Sequence, residues 1–235
     1  MIYSTLAQYY DALVKDDEAT QAWVDWMAAW KPGKKVLELA CGSGEITHEL
    51  ACLGYDMTAL DLSAKMIERA KEKDVENRIQ FYVQDMLDLS NFSTYDAILC
   101  LCDSFNYILE KEDVISFFEQ VDAHLQADGL FFFDMHSWDR LEEFRDEFNE
   151  AGCFEDGCQC QWSIMAEDEF VYQDFAFYKD GQMVQEHHIQ RVYDPIWIQK
   201  ELEKYFHILS ITTDFDQEGL CEGEKYFYVC QKKGK

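Results

Sequence analysis

Apolar residues fall into two periods along this chain. Ala22, Trp23, Trp26, Met27 and Trp30 recur at helical spacing between Asp16 and Trp30, and Lys31-Pro32-Gly33 stops the helix they predict. Val36 to Ala40 is a short apolar run that predicts a strand. Gly42-Ser43-Gly44 predicts a turn, and Glu45 to Leu53 a helix. The unit then repeats: a strand over Asp56 to Leu60, then a helix from Ser63 to about Lys73. Ser63 is its N-cap, and Met66, Ile67 and Ala70 lie on its buried face. Ile79 to Val83, Ala97 to Cys102 and Leu130 to Met135 predict three more strands. Asp113 to Leu125 predicts the helix before the last of them, with a turn at Ala127-Asp128-Gly129. Strands alternating with helices predict a parallel sheet covered on both faces.

The period changes after about residue 150. Gln159 to Ala166, Phe170 to Lys179 and Met183 to Tyr193 alternate as strands do, and Asp180-Gly181 supplies a hairpin turn. Asp194-Pro195 breaks the pattern. Ile196 to Phe206 predicts a helix, and Ile208 to Phe215 and Lys225 to Cys230 two closing strands. The expected fold is α/β: a Rossmann-like, mostly parallel sheet with an antiparallel β layer. Residues 1–150 and 195–235 form the expected core domain, and 151–194 a subdomain over the substrate site.

Charge narrows the partners. Twenty basic residues against 47 acidic ones leave −27, a field that repels nucleic-acid backbones and anionic lipid. Lys31, Lys34 and Lys35 form a modest basic group. The lysines from Lys65 to Lys73 alternate with acids, as on a solvated helix face. The N-terminal stretch has neither a basic start nor an apolar core, which predicts no signal peptide and a cytoplasmic protein. Nine cysteines show no disulfide framework and are expected reduced. Cys153, Cys158 and Cys160 lie within eight residues, but no CxxC pair and no nearby His completes a zinc set, so no metal is expected.

In a doubly wound sheet, ligands sit beyond the carboxyl ends of the strands, and the first strand-to-helix turn is the usual place. Here that turn is Ala40-Cys41-Gly42-Ser43-Gly44, and Gly42 and Gly44 leave room for a ligand against the backbone. A dinucleotide fingerprint needs a third glycine where Thr47 stands, and Glu45 would oppose a pyrophosphate. S-adenosylmethionine has no phosphate. It offers a carboxylate to the helix N-terminus, and an ammonium and a sulfonium that tolerate nearby acids. Asp61, ending the second strand, can accept the hydroxyls of a ribose. Asp85 in Gln84-Asp85-Met86 can accept from an adenine amino group, with Leu62 and Met86 on either side of the ring. For Asp61 a helix N-terminal charge, and for Asp85 a turn residue, are the structural alternatives.

Val36-Leu-Glu-Leu-Ala-Cys-Gly-Ser-Gly44, Met57-Thr-Ala-Leu-Asp-Leu-Ser63 and Met66 resemble the class I S-adenosylmethionine-dependent methyltransferases over roughly residues 30–136. Cys102-Asp-Ser-Phe-Asn-Tyr107, Phe133-Asp134 and Glu186-His-His-Ile-Gln-Arg191 resemble a group of small bacterial enzymes, the YqeM type. The resemblance implies a seven-stranded sheet whose last strand runs antiparallel. It also implies cofactor contacts at Glu38, Gly42, Asp61 and Asp85. Ala40 departs from the pattern, standing where many members have the first glycine; alanine is the smallest replacement. With Tyr10 as part of an N-terminal lid, the expected cofactor set also holds Ala40, Cys41, Gly44, Leu62, Met66, Gln84, Met86 and Leu101.

Methyl transfer from a sulfonium needs an aligned acceptor, excluded water and, for an amine or hydroxyl, somewhere to put a proton. The acceptor should lie beyond the fourth strand, where Asp103 and Asn106 could hold it and Tyr107 could wall it. Asp103 or Ser104 could equally cap a short helix. His136, after the fifth strand, is a candidate base because imidazole titrates near neutrality. Glu186, His188 and Gln190 share one strand face, which suits either a pocket floor or a solvent face, and His188 joins the candidate catalytic set. The expected activity is methyl transfer to a small molecule. A nicotinamide-dependent oxidoreductase and a non-catalytic S-adenosylmethionine-binding module are the alternatives, and a tRNA or protein acceptor is disfavoured by charge.

Overall fold

Strands Lys35–Leu39 (β1), Asp56–Asp61 (β2), Gln80–Val83 (β3), Tyr95–Cys100 (β4) and Leu125–His136 (β5) run parallel in the order β3-β2-β1-β4-β5. The computed structural model describes residues 6–14 and 16–234. The first five residues, which bear on the expected lack of a leader, lie outside them. The near-continuous apolar runs of β1, β4 and β5 are explained by burial on both faces. Along β5, Phe131, Phe133 and Met135 enter one core while Leu130 and Phe132 enter the other. The first core packs beneath Lys111–His124 (α5 in chain order) through Val114, Phe117, Phe118 and Val121. The second is covered by three earlier helices, Asp17–Ala29 (α2), Glu45–Cys52 (α3) and Ala64–Lys73 (α4). Ser63 accepts from the Met66 N–H at the start of α4, the cap its sequence predicts.

The chain then leaves the core. After a short helix, Asp139–Glu143 (α6), four antiparallel strands form a second sheet: Phe148–Cys153 (β6), Gln159–Glu167 (β7), Phe170–Lys179 (β8) and Gln182–Arg191 (β9). It has one strand more than the alternation predicts. β6 is exposed at every position, so no apolar period marks it. The helix Pro195–Leu202 (α7) returns the chain to the core. Phe206–Thr213 (β10) and Lys225–Lys232 (β12) then close the main sheet, β12 lying antiparallel to β5 and to β10. The two-residue strand Gln217–Glu218 (β11) extends the seven main strands to eight. The helix Leu6–Val14 (α1), which the mixed N-terminal sequence does not announce, docks on the second sheet. Tyr9 stacks on Phe154 and Phe177 there, and Leu6 N–H donates to Glu186 Oε1 at 2.9 Å. Among the described residues no helix is long and apolar enough to cross a membrane.

Asn106 joins the two sheets. It lies in the 3-10 turn Ser104–Tyr107 and has no exposed surface. Its Nδ2 donates to the Arg191 carbonyl at the end of β9 (2.7 Å), and its Oδ1 accepts from His136 N–H at the end of β5 (2.9 Å). Both ends of the amide are thus used by backbone, and Asn106, expected to hold the acceptor, is not among the residues that line the cavity described below. Asn106→Ala would leave two buried backbone groups unpaired, at about 1–3 kcal/mol each. It is expected to lower the melting temperature by roughly 4–24 °C in a chain of this size, at about 2–4 °C per kcal/mol. Unchanged melting with lost activity would return Asn106 to the acceptor site.

Candidate active site

β1 is the point where the strand order reverses, with β2 on one side and β4 on the other. A cavity of about 1000 Å³ opens beyond the carboxyl ends of these strands, as the doubly wound topology requires. Its other walls are α1 and the second sheet. Of the expected cofactor residues, Tyr10, Glu38, Ala40, Cys41, Gly42, Asp61, Leu62, Met66, Gln84, Asp85, Met86 and Leu101 all border it. Gly44 does not. It starts α3 at φ +79°, and a Cβ there would lie 3.0 Å from the Ala70 Cβ. Gly44 lets α3 and α4 approach, between two residues, Ser43 and Glu45, that do border the cavity.

The turn after β1 is strained. Ala40 has φ +52° and Gly42 φ +56°, a region that costs a residue with a Cβ about 1–2 kcal/mol. A Cβ added to Gly42 would meet nothing within 4 Å, so the glycine leaves open space on the cavity side of the turn. Gly42 N–H donates to Asp61 Oδ2 at 2.9 Å, and Ser63 N–H to Asp61 Oδ1 at 2.8 Å. Each carboxylate oxygen keeps a second lone pair. Asp61 therefore ties the turn to β2 and can still accept hydroxyl protons. Burial pushes its carboxyl up against these two bonds. Asp85 is exposed at the rim, with Oδ1 on the Leu87 N–H as a turn residue and Oδ2 unused among the described residues.

Glu38 lies at the bottom, 3% exposed, accepting from the Thr47 hydroxyl at 2.5 Å. Burial raises its carboxyl to about 7, more than the Thr47 bond lowers it. Thr47 thus explains the absent third glycine: the position carries a buried donor for Glu38.

Beyond β4, Cys102 and Asp103 both hold left-handed backbone, φ +57° and +52°. Asp103 is fixed there from three sides. Its N–H donates to Asp134 Oδ2 (2.8 Å), Lys225 Nζ reaches its Oδ1 (2.5 Å), and Gln190 Nε2 donates to its Oδ2 (2.7 Å). Burial works against this carboxylate, but Lys225 and His136 outweigh it and hold Asp103 below the usual range. Gln190 is fully buried, and its Oε1 receives Gln173 Nε2 (3.0 Å) and lies 3.1 Å from His136 Nε2. With its amide nitrogen on a carboxylate, Gln190 must present oxygen to His136. His136 therefore carries its proton on Nε2. The lone pair is on Nδ1, which is buried with no partner among the described residues. Burial lowers the imidazole below its ordinary value although Asp103 raises it, so the ring is neutral at pH 7. His188 borders the cavity with Nδ1 3.1 Å from the Tyr107 hydroxyl. Lys225, Asp134, Gln190, Gln173, Arg140 and Trp162 complete this end of the molecule; the sequence marks Gln190 by the polar face it shares with Glu186 and His188 and Asp134 by the resemblance alone, and the other four carry no signal of their own.

A family profile described as a methyltransferase domain matches residues 36–129. The Bacillus subtilis (strain 168) protein named "Putative methyltransferase YqeM" is 35% identical over 243 residues, covering 99% of this chain and 98% of that one. The chain belongs to the class I S-adenosylmethionine-dependent methyltransferases, in the YqeM group. A crystal structure of an S-adenosylmethionine-dependent methyltransferase from Clostridium acetobutylicum ATCC 824 matches with a TM-score of 0.84 at 26% identity, over 99% of each chain. The sugar N-methyltransferase KedS8 from Streptoalloteichus sp ATCC 53650 shares the fold, with a TM-score of 0.78 at 16% identity over 98% of this chain and 94% of that one. The methyltransferase is thus an enzyme and uses S-adenosylmethionine, which removes the nicotinamide and non-catalytic alternatives.

The donor set fits that cofactor. The open face of Gly42 admits a ligand against the backbone, and the carboxylates of Glu38, Asp61 and Asp85 match hydroxyl and cationic groups rather than phosphate. Glu38 makes this fit pH-dependent. Its pKa is about 7 folded against 4.5 ordinarily, so the folded methyltransferase keeps a proton that the unfolded chain releases. That contribution to stability is present below pH 4.5 and lost as pH rises through 7. A cation beside Glu38 favours the ionised form instead. Calorimetric affinity for S-adenosylmethionine is expected to rise about tenfold from pH 6 to 8. Glu38→Gln should bind more weakly and lose this slope; a variant with the wild-type slope would place the titration elsewhere.

Proposed function

We propose that the enzyme methylates an amine or hydroxyl of a small molecule enclosed between the two sheets, with His136 Nδ1 taking the acceptor's proton. The observation that carries this reading is the hydrogen-bond chain Lys225–Asp103–Gln190–His136, which sets one neutral tautomer at the acceptor end of the cavity. When bound, S-adenosylmethionine supplies an electrophilic methyl group on its sulfonium. In this reading Asp61 accepts the ribose hydroxyls, and Asp85 the adenine amino group between Leu62 and Met86. The N-terminus of α3 meets the methionine carboxylate, and Glu38 faces the cationic end. The walls Ile164, Val171 and Phe175 exclude water, which raises the value of every fixed dipole inside. The sugar N-methyltransferase KedS8 supports a small acceptor only through shared fold. The charge of −27 argues against RNA. Asp103, spent on Lys225 and Gln190, is a positioning group here and not a base.

The test gives methyl-labelled cofactor and enzyme to separate metabolite, protein and RNA fractions of a cell extract. Label is expected in the metabolite fraction; label confined to protein or RNA overturns the reading. With the acceptor so identified, His136→Gln should lower kcat about 10²-fold, within the range of general-base catalysis. Wild-type kcat should stay level from pH 8 to about 6.5 and fall only below, because the imidazole is depressed beneath its ordinary value. A profile unchanged in His136→Gln would remove His136 as the base.

A further inference from the structure

Two cationic side chains, Arg140 and Lys225, border the cavity among the described residues. Lys225 is neutralised by Asp103 at 2.5 Å and Asp134 at 3.5 Å. Arg140 is not. Its single hydrogen bond runs from Nη1 to Glu143, whose side chain is half exposed, so solvent screens the pair. Its Nε is buried with no acceptor, and Nη2 makes no hydrogen bond among the described residues. The guanidinium lies 4.5 Å over the Phe144 ring, which fixes its plane. Trp162 packs against the same Phe144 cluster and borders the same cavity. Its Nε1 is a second buried donor with no acceptor among the described residues. Buried donors left unpaired cost about 1–3 kcal/mol each. Two such donors border one cavity, one of them on a cation whose single ion pair is half exposed, and in a chain of net charge −27 they mark a place kept for an oxygen-bearing anion.

We propose that the methyl acceptor carries an anionic oxygen group, a carboxylate or a phosphate, received by Arg140 and Trp162 Nε1. This rests on reading the cavity between the sheets as the acceptor site. Arg140 follows the end of β5, four residues after His136, and its charge acts on that imidazole. An acceptor anchored there would present its nucleophile towards His136, with its apolar body against Ile164, Val171 and Phe175. The planar, delocalised guanidinium suits a two-oxygen anion better than a lysine would.

The test uses the full chain saturated with S-adenosylhomocysteine, at constant ionic strength. Melting temperature and tryptophan fluorescence are followed against benzoate, phenyl phosphate and benzamide. One or both anions should bind saturably and at least tenfold more tightly than benzamide, and the one preferred identifies the group. Arg140→Gln should abolish the preference, Arg140→Lys should keep part of it, and Trp162→Phe should weaken anion binding several-fold. S-adenosylhomocysteine affinity should stay unchanged in all three. Equal binding of anion and amide, binding of neither, or full anion preference in Arg140→Gln overturns the proposal. Should Arg140→Gln not fold, the wild-type comparison decides alone. A cavity that is not the acceptor site would instead show as probes leaving the methylation of the identified acceptor uninhibited, a result separate from the anion preference.

Discussion

Lys225 holds together two carboxylates that could not otherwise share the end of the sheet. Asp134 has no exposed surface, and burial raises its carboxyl although Lys225 opposes that. Asp103 stands next to it on a turn with two consecutive left-handed residues that are not glycine. That backbone persists because it is over-determined: the Asp103 N–H is bound to Asp134, and its side chain to Lys225 and Gln190. Removing one member of such a buried group leaves an uncompensated charge, which costs more than the intact group contributes. The ammonium therefore ties the start of β12 to the turn after β4 and to β5, and the Asp103 it holds orients Gln190. Through Gln190 it decides which nitrogen of His136 bears the proton.

The same constraint divides the cavity by charge. The Gly42 end keeps Glu38, Asp61 and Asp85, while Asp103 at the other end is cancelled. S-adenosylmethionine carries a net positive charge, and S-adenosylhomocysteine has lost the sulfonium. With the cofactor placed as proposed, an acidic pocket in a chain of −27 favours the reactant form over the spent form. A buried Glu38 near 7 adjusts this preference within the neutral range.

Much of the core, and of the cavity wall at the ends of β1, β2 and β3, was legible because both are local. Apolar runs gave β1, β2, β4 and β5, and the chemistry of a strand end is written within a few residues of it, as at Asp61 and Asp85. Exposed β6, the short α6 and α1 carry no clean period. The acceptor end was less legible because its partners are distant in sequence: Lys225 lies 122 residues from Asp103, and Gln190 lies 87. Gly44 and Asn106, which the sequence places at the site, pack against neighbouring elements and do not line the cavity. A glycine in a turn and an amide after a strand look alike whether they face a ligand or a neighbouring element, and only packing against Ala70 and Arg191 separates the two.

β9 shows what such packing can combine. Glu186, His188 and Gln190 point the same way by strand alternation, and all three are buried. Glu186 receives the first turn of α1, His188 meets Tyr107 at the cavity, and Gln190 completes the chain from Lys225 to His136. A one-residue slip of β9 would turn this whole row to the opposite face. The register against β8, unbroken from Phe170–Arg191 to Lys179–Gln182, therefore sets the covering helix, the cavity wall and the protonation of His136 together. In the proposed arrangement, acceptor specificity can accordingly change along the second sheet, through residues such as Trp162 and Gln173, while the turn after β1 is left alone.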